Sequence, residues 1–322
     1  MTRQDIIRLL GDDWTGYQDL VREKLASDIG LLDSVNGNLL SNGGKGVRPM
    51  ISLLMARAMG ASTRDSLCYA AATEILHNAT LLHDDVADNS ATRRGKPTLA
   101  SAMGPDVAVL VGDYWLSRAI SAVNGTVHEL EAVHAFSKTL SDLAEGEMLQ
   151  LEKADRADTV EKDYLRIVYC KTASLFEAAC TAAAISVDAS PELREAAARY
   201  GRAVGMAFQI RDDILDYGDP EMLGKPVGQD LAERKITLPL LGALAGSPAE
   251  VRIRTLVAEI PEKPGNCVLV RDFVLKSGGL EYASRRLDDF IGEALGALQP
   301  LPASPEKDAL EELARLNARR AV

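Results

Sequence analysis

Helical periodicity is the feature that most limits what this chain can fold into. Between successive Gly and Pro breakers, apolar residues recur three and four positions apart, and the alternation typical of strands is scarce. Aromatic residues make up only 5% of a chain that is 47% hydrophobic, so the predicted core is aliphatic and rich in Ala. We predict an all-α fold with helices near 3–10, 14–39, 48–60, 64–88, 105–124, 128–152, 160–186, 191–217, 234–245, 248–257, 265–276, 279–298 and 304–319.

The bulk composition narrows the domain organisation and the class of partner. No low-complexity linker divides the 322 residues, which favours a single all-helical domain over residues 1–322. The net charge of −11 argues against nucleic acid or an anionic membrane surface as the main partner. No apolar stretch reaches the roughly 18 residues of a membrane span, so we expect no stable membrane insertion.

Two further observations indicate where the protein works. The residues Thr2–Asp5 lack the basic and apolar regions of a signal peptide. The four cysteines show neither metal-binding nor redox spacing and are typical of a reducing compartment: Cys68, Cys170, Cys180 and Cys267. We therefore expect a cytoplasmic location.

Two D-D-x-x-D clusters close two of the longest predicted helices. They consist of Asp84, Asp85 and Asp88, and of Asp212, Asp213 and Asp216. Residues four apart share a helix face, so these like charges repel one another by a few tenths of a kcal/mol per pair, and they also oppose the dipole at a helix C-terminus. Carboxylate oxygens at this spacing suit Mg²⁺, which proteins hold with one or two carboxylates plus substrate phosphates. All six aspartates are therefore predicted metal-site residues.

Cations accompany both clusters. A Gly-rich turn, Gly43–Pro49, carries two of them, and a basic stretch follows each cluster. Lys171 lies inside an apolar predicted helix, where a charge needs an anionic partner. Metal ligands, phosphate-binding cations and an apolar helical interior together suit a substrate with a diphosphate head and a hydrocarbon tail. The cations are Lys45, Arg48, Arg93, Arg94, Lys171, Lys225 and Lys235.

The ordered motifs GGKxxRP, DDxxD…RRGKPT, GExxQ, KTA, FQIRDDxLD, GKPxGxD and KxTLP resemble those of the trans-polyprenyl diphosphate synthases. They occupy Gly43–Pro49, Asp84–Thr98, Gly146–Gln150, Lys171–Ala173, Phe208–Asp216, Gly224–Asp230 and Lys235–Pro239, a motif-bearing core of about residues 40–240. The resemblance implies a single large helical bundle of the isoprenoid synthase type around a central apolar cavity, and a homodimer. Two departures are minor: Gly46 stands where many relatives have a basic residue, and Arg234 where many have Gly.

The resemblance also implies a role for each site residue. Asp84, Asp88 and Asp212 correspond to direct Mg²⁺ ligands, with the other three aspartates in or next to the shell of about three ions, which Mn²⁺ can replace. The allylic diphosphate would contact Arg93, Lys171, Gln209, Lys225 and Lys235. Isopentenyl diphosphate would contact Lys45, Arg48, His77 and Arg94. Thr172 and Gln209, with the carbonyl end of the helix that carries Lys171, would stabilise the developing allylic cation, so the resemblance implies the catalytic residues Lys171, Thr172 and Gln209.

Product length depends on the helix that ends at Asp84. Thr80 and Ala79, four and five positions earlier, are small where short-chain relatives have aromatic residues, and Leu76 lies about one turn (~5.4 Å) further down. Met148 or Leu149 on a neighbouring helix could complete the floor. We therefore expect a product of about six isoprene units or more, octaprenyl-like. Such a product is membrane-soluble, so transient membrane contact would accompany its release.

Several alternatives remain at this stage. A class I terpene cyclase shares the first D-D-x-x-D but usually carries a different second motif and lacks the GGKxxRP turn. A geranylgeranyl or farnesyl diphosphate synthase differs only in chain length. A non-catalytic subunit of a heteromeric synthase typically loses one or both acidic clusters, whereas a catalytic subunit that needs a partner would keep them.

Overall fold

The computed structural model describes residues 1–41, 44–93, 95–218 and 228–319. Across these ranges the only strands are two residues long, β1 (Thr92–Arg93) and β2 (Lys96–Pro97), which pair antiparallel with Thr92 opposite Pro97. The prediction of an all-α fold is confirmed. None of the helices in these ranges has the length and hydropathy needed to cross a bilayer.

Two compact units make up the chain. The first comprises residues 1–137, 178–198 and 300–310, and the second comprises residues 138–177, 199–299 and those from 311 onward. The prediction of a single domain stays a prediction. The first seven helices are α1 (Arg3–Leu10), α2 (Asp12–Leu25), α3 (Gly30–Ser41), α4 (Val47–Met59), α5 (Arg64–Ala87), α6 (Leu99–Met103) and α7 (Pro105–Val123). They are followed by α8 (Glu129–Arg156), α9 (Glu161–Val168), a π-helical turn (Tyr169–Ala173), α10 (Ser174–Ser186) and α11 (Pro191–Leu215). The last six are α12 (Gln229–Ala232), α13 (Leu238–Leu244), α14 (Glu250–Ala258), α15 (Asn266–Lys276), α16 (Gly279–Ala297) and α17 (Pro305–Arg319).

The single helix predicted over 14–39 is wrong, because the chain breaks after Leu25 and α3 starts at Gly30. Side chains from elsewhere in the first unit donate hydrogen bonds to the backbone carbonyls at the end of α2. Asn36 donates from Nδ2 to the Leu25 carbonyl at 2.6 Å, and Tyr114 donates from its hydroxyl to the Ala26 carbonyl at 3.1 Å. These tertiary hydrogen bonds replace the intrahelical ones that a continuous helix would make.

Helix α5 carries the first acidic cluster and packs against α2, α4 and α7 of the first unit. Thr63 caps its N-terminus, where the hydroxyl accepts from the Ser66 amide at 3.2 Å. Tyr69, Leu76 and Ala79 are completely buried along its length. This burial fixes the helix axis, and with it the direction in which the terminal carboxylates point.

The core of the second unit is aliphatic, as the composition predicts. Fully buried residues from four helices meet there, among them Ile210, Leu238, Val257 and Val270. Helices α13 and α16 approach closely because Gly279 presents no side chain: a Cβ at that position would collide with the Pro239 carbonyl oxygen. Backbone contact of this kind fixes how α16 packs.

We predict that Gly279→Ala lowers the free energy of unfolding by about 1–3 kcal/mol, because the added methyl overpacks a contact with rigid backbone. The matched control is Gly292→Ala on the same helix, where a Cβ meets nothing within 4 Å. That change should be neutral or stabilising by about 0.5–1 kcal/mol, as for Gly→Ala in a helix interior. Urea denaturation of both variants measures the difference, and equal effects would contradict this packing.

Candidate active site

The first acidic cluster divides its carboxylates between two environments. Asp84 is half-buried in the last turn of α5 and Asp88, which forms the C-cap, is exposed. Asp85 points the other way, is only 5% exposed, and accepts from Nε of Arg93 at 2.6 Å. Asp84 and Asp88 therefore occupy the accessible helix face, while Asp85 has a cation of its own.

A short hairpin brings Arg93 back onto the end of α5. The Ser90 amide donates to the Asp85 carbonyl at 3.0 Å, and the Thr98 hydroxyl donates to the Ser90 carbonyl at 2.7 Å. These hydrogen bonds close the loop that contains β1 and β2 and place the guanidinium beside the cluster. Arg93 thus lies beside the first acidic cluster, while Arg94 lies outside the described residues.

The predicted isopentenyl pocket is partly assembled in the first unit. Nη1 of Arg48, in the first turn of α4, lies 3.0 Å from Nε2 of His77 on α5. A guanidinium can only donate, so this ring nitrogen is the acceptor and the imidazole is oriented by the contact. Lys45 is exposed in the turn that precedes α4. The structure thus brings together Arg48 and His77, which are 29 residues apart in sequence and are both predicted to contact isopentenyl diphosphate.

The second acidic cluster also divides its carboxylates. Asp213 is 3% exposed and accepts from the Tyr164 hydroxyl at 2.6 Å and from Nε2 of Gln209 at 2.8 Å. Asp212 is more exposed and pairs with Nη2 of Arg211 at 2.8 Å. That guanidinium in turn lies over the ring of Phe208, 4.6 Å from its centroid.

Asp216 has a structural role that the sequence did not indicate. Its carboxylate accepts from the backbone amides of Gln229, at 3.2 Å, and Asp230, at 3.0 Å. It therefore stabilises the N-terminus of α12, where backbone N–H groups lack intrahelical partners. A carboxylate has about four lone-pair sites, so these two bonds leave room for a metal.

The electrostatics of the second cluster favour a bound cation. Burial, followed by the charge of Asp230, raises the pKa of Asp213 well above its ordinary value. Burial and the charge of Asp216 raise the pKa of Asp230 to about 7. Neighbouring carboxylates that resist ionisation together are stabilised in the charged form by a divalent cation, so this donor set fits Mg²⁺.

In the described part of the chain, no three acidic, His or Cys side chains converge to hold a metal ion by themselves. Mg²⁺ commonly takes one or two protein carboxylates and completes its shell with water and substrate phosphate oxygens.

The π-helical turn replaces part of the continuous helix predicted over 160–186 and carries Lys171 and Thr172. Lys171 pairs with Glu147 of α8, and Thr172 donates from Oγ1 to Oε1 of Gln209 at 2.8 Å. An extra residue per turn is typical of functional sites because it re-aims side chains. Here it presents both residues while a hydrogen-bonded chain joins Thr172 through Gln209 to Asp213.

Two glycines let the neighbouring helices close on the π-helical turn. A Cβ at Gly146 of α8 would come within 2.6 Å of the Cys170 Cβ. A Cβ at Gly205 of α11 would collide with the Cα of Ala173. These approaches place Glu147 and Gln209, each on the same helix as one glycine, at the turn.

The remaining predicted residues fall as follows. The ammonium of Lys235 pairs with Glu233 and its backbone amide donates to the Asp230 carbonyl at 2.7 Å. Lys225 lies outside the described residues. Of the three predicted chain-length residues, Leu76 and Ala79 are completely buried, whereas Thr80 is partly exposed and donates from Oγ1 to the His77 carbonyl at 2.9 Å.

The sequence interpretation missed three functional partners. Glu147 and Asp230 lie inside the quoted motifs Gly146–Gln150 and Gly224–Asp230, so a signal for both was present. Tyr164 belongs to no motif, and only the fold shows that its hydroxyl reaches Asp213.

Comparison with known proteins places these residues in context. A family model described as polyprenyl synthetase matches residues 30–270. The octaprenyl diphosphate synthase of Escherichia coli (strain K12) is 40% identical over 99% of both chains. A decaprenyl diphosphate synthase from Rhodobacter capsulatus has a crystal structure that is similar with a TM-score of 0.93 at 33% identity, covering 100% of both chains. A polyprenyl synthase from Caulobacter crescentus, solved with calcium and isoprenyl diphosphate, gives a TM-score of 0.90 at 35% identity over 100% of this chain and 98% of that one.

We predict that Tyr164→Phe weakens Mn²⁺ binding by about tenfold, because a hydrogen bond to a buried carboxylate contributes roughly 1.5–3 kcal/mol. Without the hydroxyl, the pKa of Asp213 rises further, and a protonated carboxyl cannot hold a metal. The loss should therefore be larger at about pH 6 than at about pH 8.

Titration of each variant with Mn²⁺, followed by electron paramagnetic resonance, measures the affinity. The matched control is Tyr282→Phe in the same unit, whose hydroxyl donates to Glu161 at 2.5 Å. Unchanged affinity of Tyr164→Phe at both pH values would show that Asp213 does not contribute to a metal site.

Proposed function

The chain belongs to the polyprenyl synthetase family, and from this premise we propose that it condenses isopentenyl diphosphate head-to-tail with an allylic diphosphate to give a long all-trans polyprenyl diphosphate. The hydrogen-bonded chain Thr172–Gln209–Asp213 carries the proposal. It joins the residues predicted to face the allylic cation directly to a metal-site carboxylate. The octaprenyl and decaprenyl synthases among the relatives support a long product.

Mg²⁺ is part of the proposal. Asp84 and Asp88 would hold it at the first cluster and Asp212 at the second, with Asp85, Asp213 and Asp216 in or next to the shell. When bound, the metal neutralises the diphosphate and makes it a better leaving group. The calcium and isoprenyl diphosphate bound to the Caulobacter crescentus relative support a divalent ion acting together with this substrate class.

The hydrogen bonds define how the chain's own residues assist ionisation of the allylic C–O bond. The amide of Gln209 accepts from Thr172 and donates to Asp213, so both of its ends are fixed. The proton of Thr172 is used in that bond, which leaves the lone pairs of its oxygen to face positive charge. Preorganised dipoles of this kind stabilise a developing cation without reorganisation during the reaction.

Cations of the chain would bind the two diphosphates. Arg93, Lys171, Lys225 and Lys235 would contact the allylic diphosphate, and Lys45, Arg48, His77 and Arg94 the isopentenyl one. The double bond of isopentenyl diphosphate then attacks the allylic carbon. The resulting carbocation loses a proton to the departing diphosphate, which leaves a new double bond in the lengthened isoprenoid. Repetition adds one isoprene unit per cycle.

The assembly and location are proposed with the same function. Val109 and Leu110 of α7 are 38% and 67% exposed, and burial of such apolar side chains favours a homodimer. We propose a cytoplasmic enzyme that contacts membranes transiently when it releases its apolar product.

A product assay tests the function. The purified protein is incubated with farnesyl diphosphate, labelled isopentenyl diphosphate and Mg²⁺, and the dephosphorylated products are sized by chromatography. We expect a polyprenol of about six or more isoprene units. Products that stop at four units would favour the geranylgeranyl alternative. Loss of diphosphate without elongation would contradict the proposal.

Removal of divalent metal should abolish elongation, because no carboxylate cluster can bind a diphosphate without a bridging cation. We predict that EDTA reduces turnover to background and that Mg²⁺ in excess of the chelator restores it. Addition of K⁺ at the same ionic strength is the control for screening. Turnover that persists in EDTA would contradict a metal-dependent reaction.

Larger side chains at the positions predicted to form the floor of the product cavity should shorten the product. Ala79→Phe is expected to stop elongation at about three or four isoprene units, and Thr80→Phe to do the same one residue closer to Asp84. Because Ala79 is completely buried and Thr80 is partly exposed, Thr80→Phe should fit with less loss of thermal stability. Thr80→Ser is the control with little change in volume. Full-length product from both Phe variants would show that the floor lies elsewhere.

A further inference from the structure

The turn that carries Lys45 and leads into α4 is supported by residues far away in sequence. Arg3, the first residue of α1, donates from Nε to the Lys45 carbonyl at 2.9 Å. The same guanidinium lies over the ring of Trp14, 5.9 Å from its centroid. One arginine therefore contacts both the backbone of the turn and an aromatic residue of α2.

Trp14 packs against the same turn, at Gly46. Gly46 adopts φ +64°, and a Cβ there would come within 2.8 Å of Cη2 of Trp14. The indole is 6% exposed and packs against the ring of Tyr17 with centroids 4.8 Å apart. The turn thus rests on a fixed aromatic surface, which only a residue without a side chain can approach at this positive φ.

Arg3 is itself held in place by the start of α1. Thr2 and Asp5 form a capping box: the Thr2 amide donates to the Asp5 carboxylate at 2.8 Å, and the Asp5 amide donates to the Thr2 hydroxyl at 3.2 Å. The capping box fixes the backbone on both sides of Arg3. The guanidinium therefore starts from a defined position when it reaches the turn.

A cavity of about 170 Å³ lies beside the turn, lined among others by Gly44, Gly46, Glu74 and Asn78, with Arg3 and Trp14 forming another part of the wall. Arg3 and Trp14 therefore contact the turn at the edge of this cavity.

We propose that Arg3 and Trp14 are positioning residues for isopentenyl diphosphate. They hold the Gly44–Gly46 turn so that Lys45 and Arg48, which lies in the first turn of α4, are positioned for the diphosphate. This inference rests on the proposed function, since Lys45 and Arg48 act on that substrate only if the protein is a prenyltransferase. Neither Arg3 nor Trp14 needs to contact the substrate.

The test compares Arg3→Ala, Arg3→Lys and a matched control, Arg8→Ala. Arg8 lies on the same helix, its side chain is 73% exposed, and it pairs only locally with Asp5 at 2.8 Å. We expect Arg3→Ala to raise the KM for isopentenyl diphosphate about 5- to 10-fold, because only part of the free energy of the lost charge-assisted hydrogen bond to the turn is passed on to substrate binding. The kcat and the KM for farnesyl diphosphate should stay within about twofold of the wild type. Arg3→Lys should recover part of the loss, and Arg8→Ala should resemble the wild type.

Hydrogen–deuterium exchange of the peptide that spans residues 44–50 supplies a readout independent of turnover. Arg3→Ala should speed exchange there, and Arg8→Ala should not. Unchanged exchange in Arg3→Ala, or faster exchange with an unchanged KM for isopentenyl diphosphate, overturns the proposal.

A wild-type protein that binds neither diphosphate and does not elongate overturns the proposed function, and with it the role for isopentenyl diphosphate. The exchange experiment would still show whether Arg3 holds the turn. The two failures are therefore distinguishable.

Discussion

Three carboxylates at the end of α5 and three at the end of α11 repel one another within little more than one helical turn each, and the surrounding structure offsets that repulsion piece by piece. Arg93 returns on a hairpin to pair with Asp85, and Tyr164 and Gln209 donate to Asp213. Backbone amides at the N-terminus of α12 donate hydrogen bonds to the Asp216 carboxylate. In each cluster the more buried aspartate is satisfied by protein and the more accessible ones remain suited to a metal–diphosphate complex.

Several helices of the molecule pack with their backbones in close contact, and glycines make this packing possible. Glycines allow α8 and α11 to reach the π-helical turn, and another allows α16 to pack on α13. In the turn that carries Lys45, Gly46 likewise allows the backbone to approach Trp14 closely. The departure from the basic residue of many relatives at Gly46 is thus accompanied by an indole ring where a side chain would otherwise lie.

Much of the secondary structure could be predicted from the sequence, because helical periodicity and short motifs are local features. Helical periodicity predicted α1 over 3–10 with the bounds that the structure has. The sequence grouped Arg48 with His77 and Thr172 with Gln209 by proposed role, and the structure adds the hydrogen bonds that join each pair. The break after Leu25 could not be predicted, because hydrogen bonds from distant side chains satisfy the exposed carbonyls. The π-helical turn could not be predicted either, because one extra residue in a helical turn leaves the pattern of apolar residues almost unchanged.

Under the proposed function, each aspartate cluster would supply part of a metal shell that a bound diphosphate completes. The most direct measurement is a Mn²⁺ titration of the wild-type protein in the presence and absence of a non-ionising allylic thiodiphosphate. The account predicts that the analogue increases both the number of bound Mn²⁺ ions and their affinity, because its phosphate oxygens supply the missing ligands. Mn²⁺ binding that is identical with and without the analogue would contradict it.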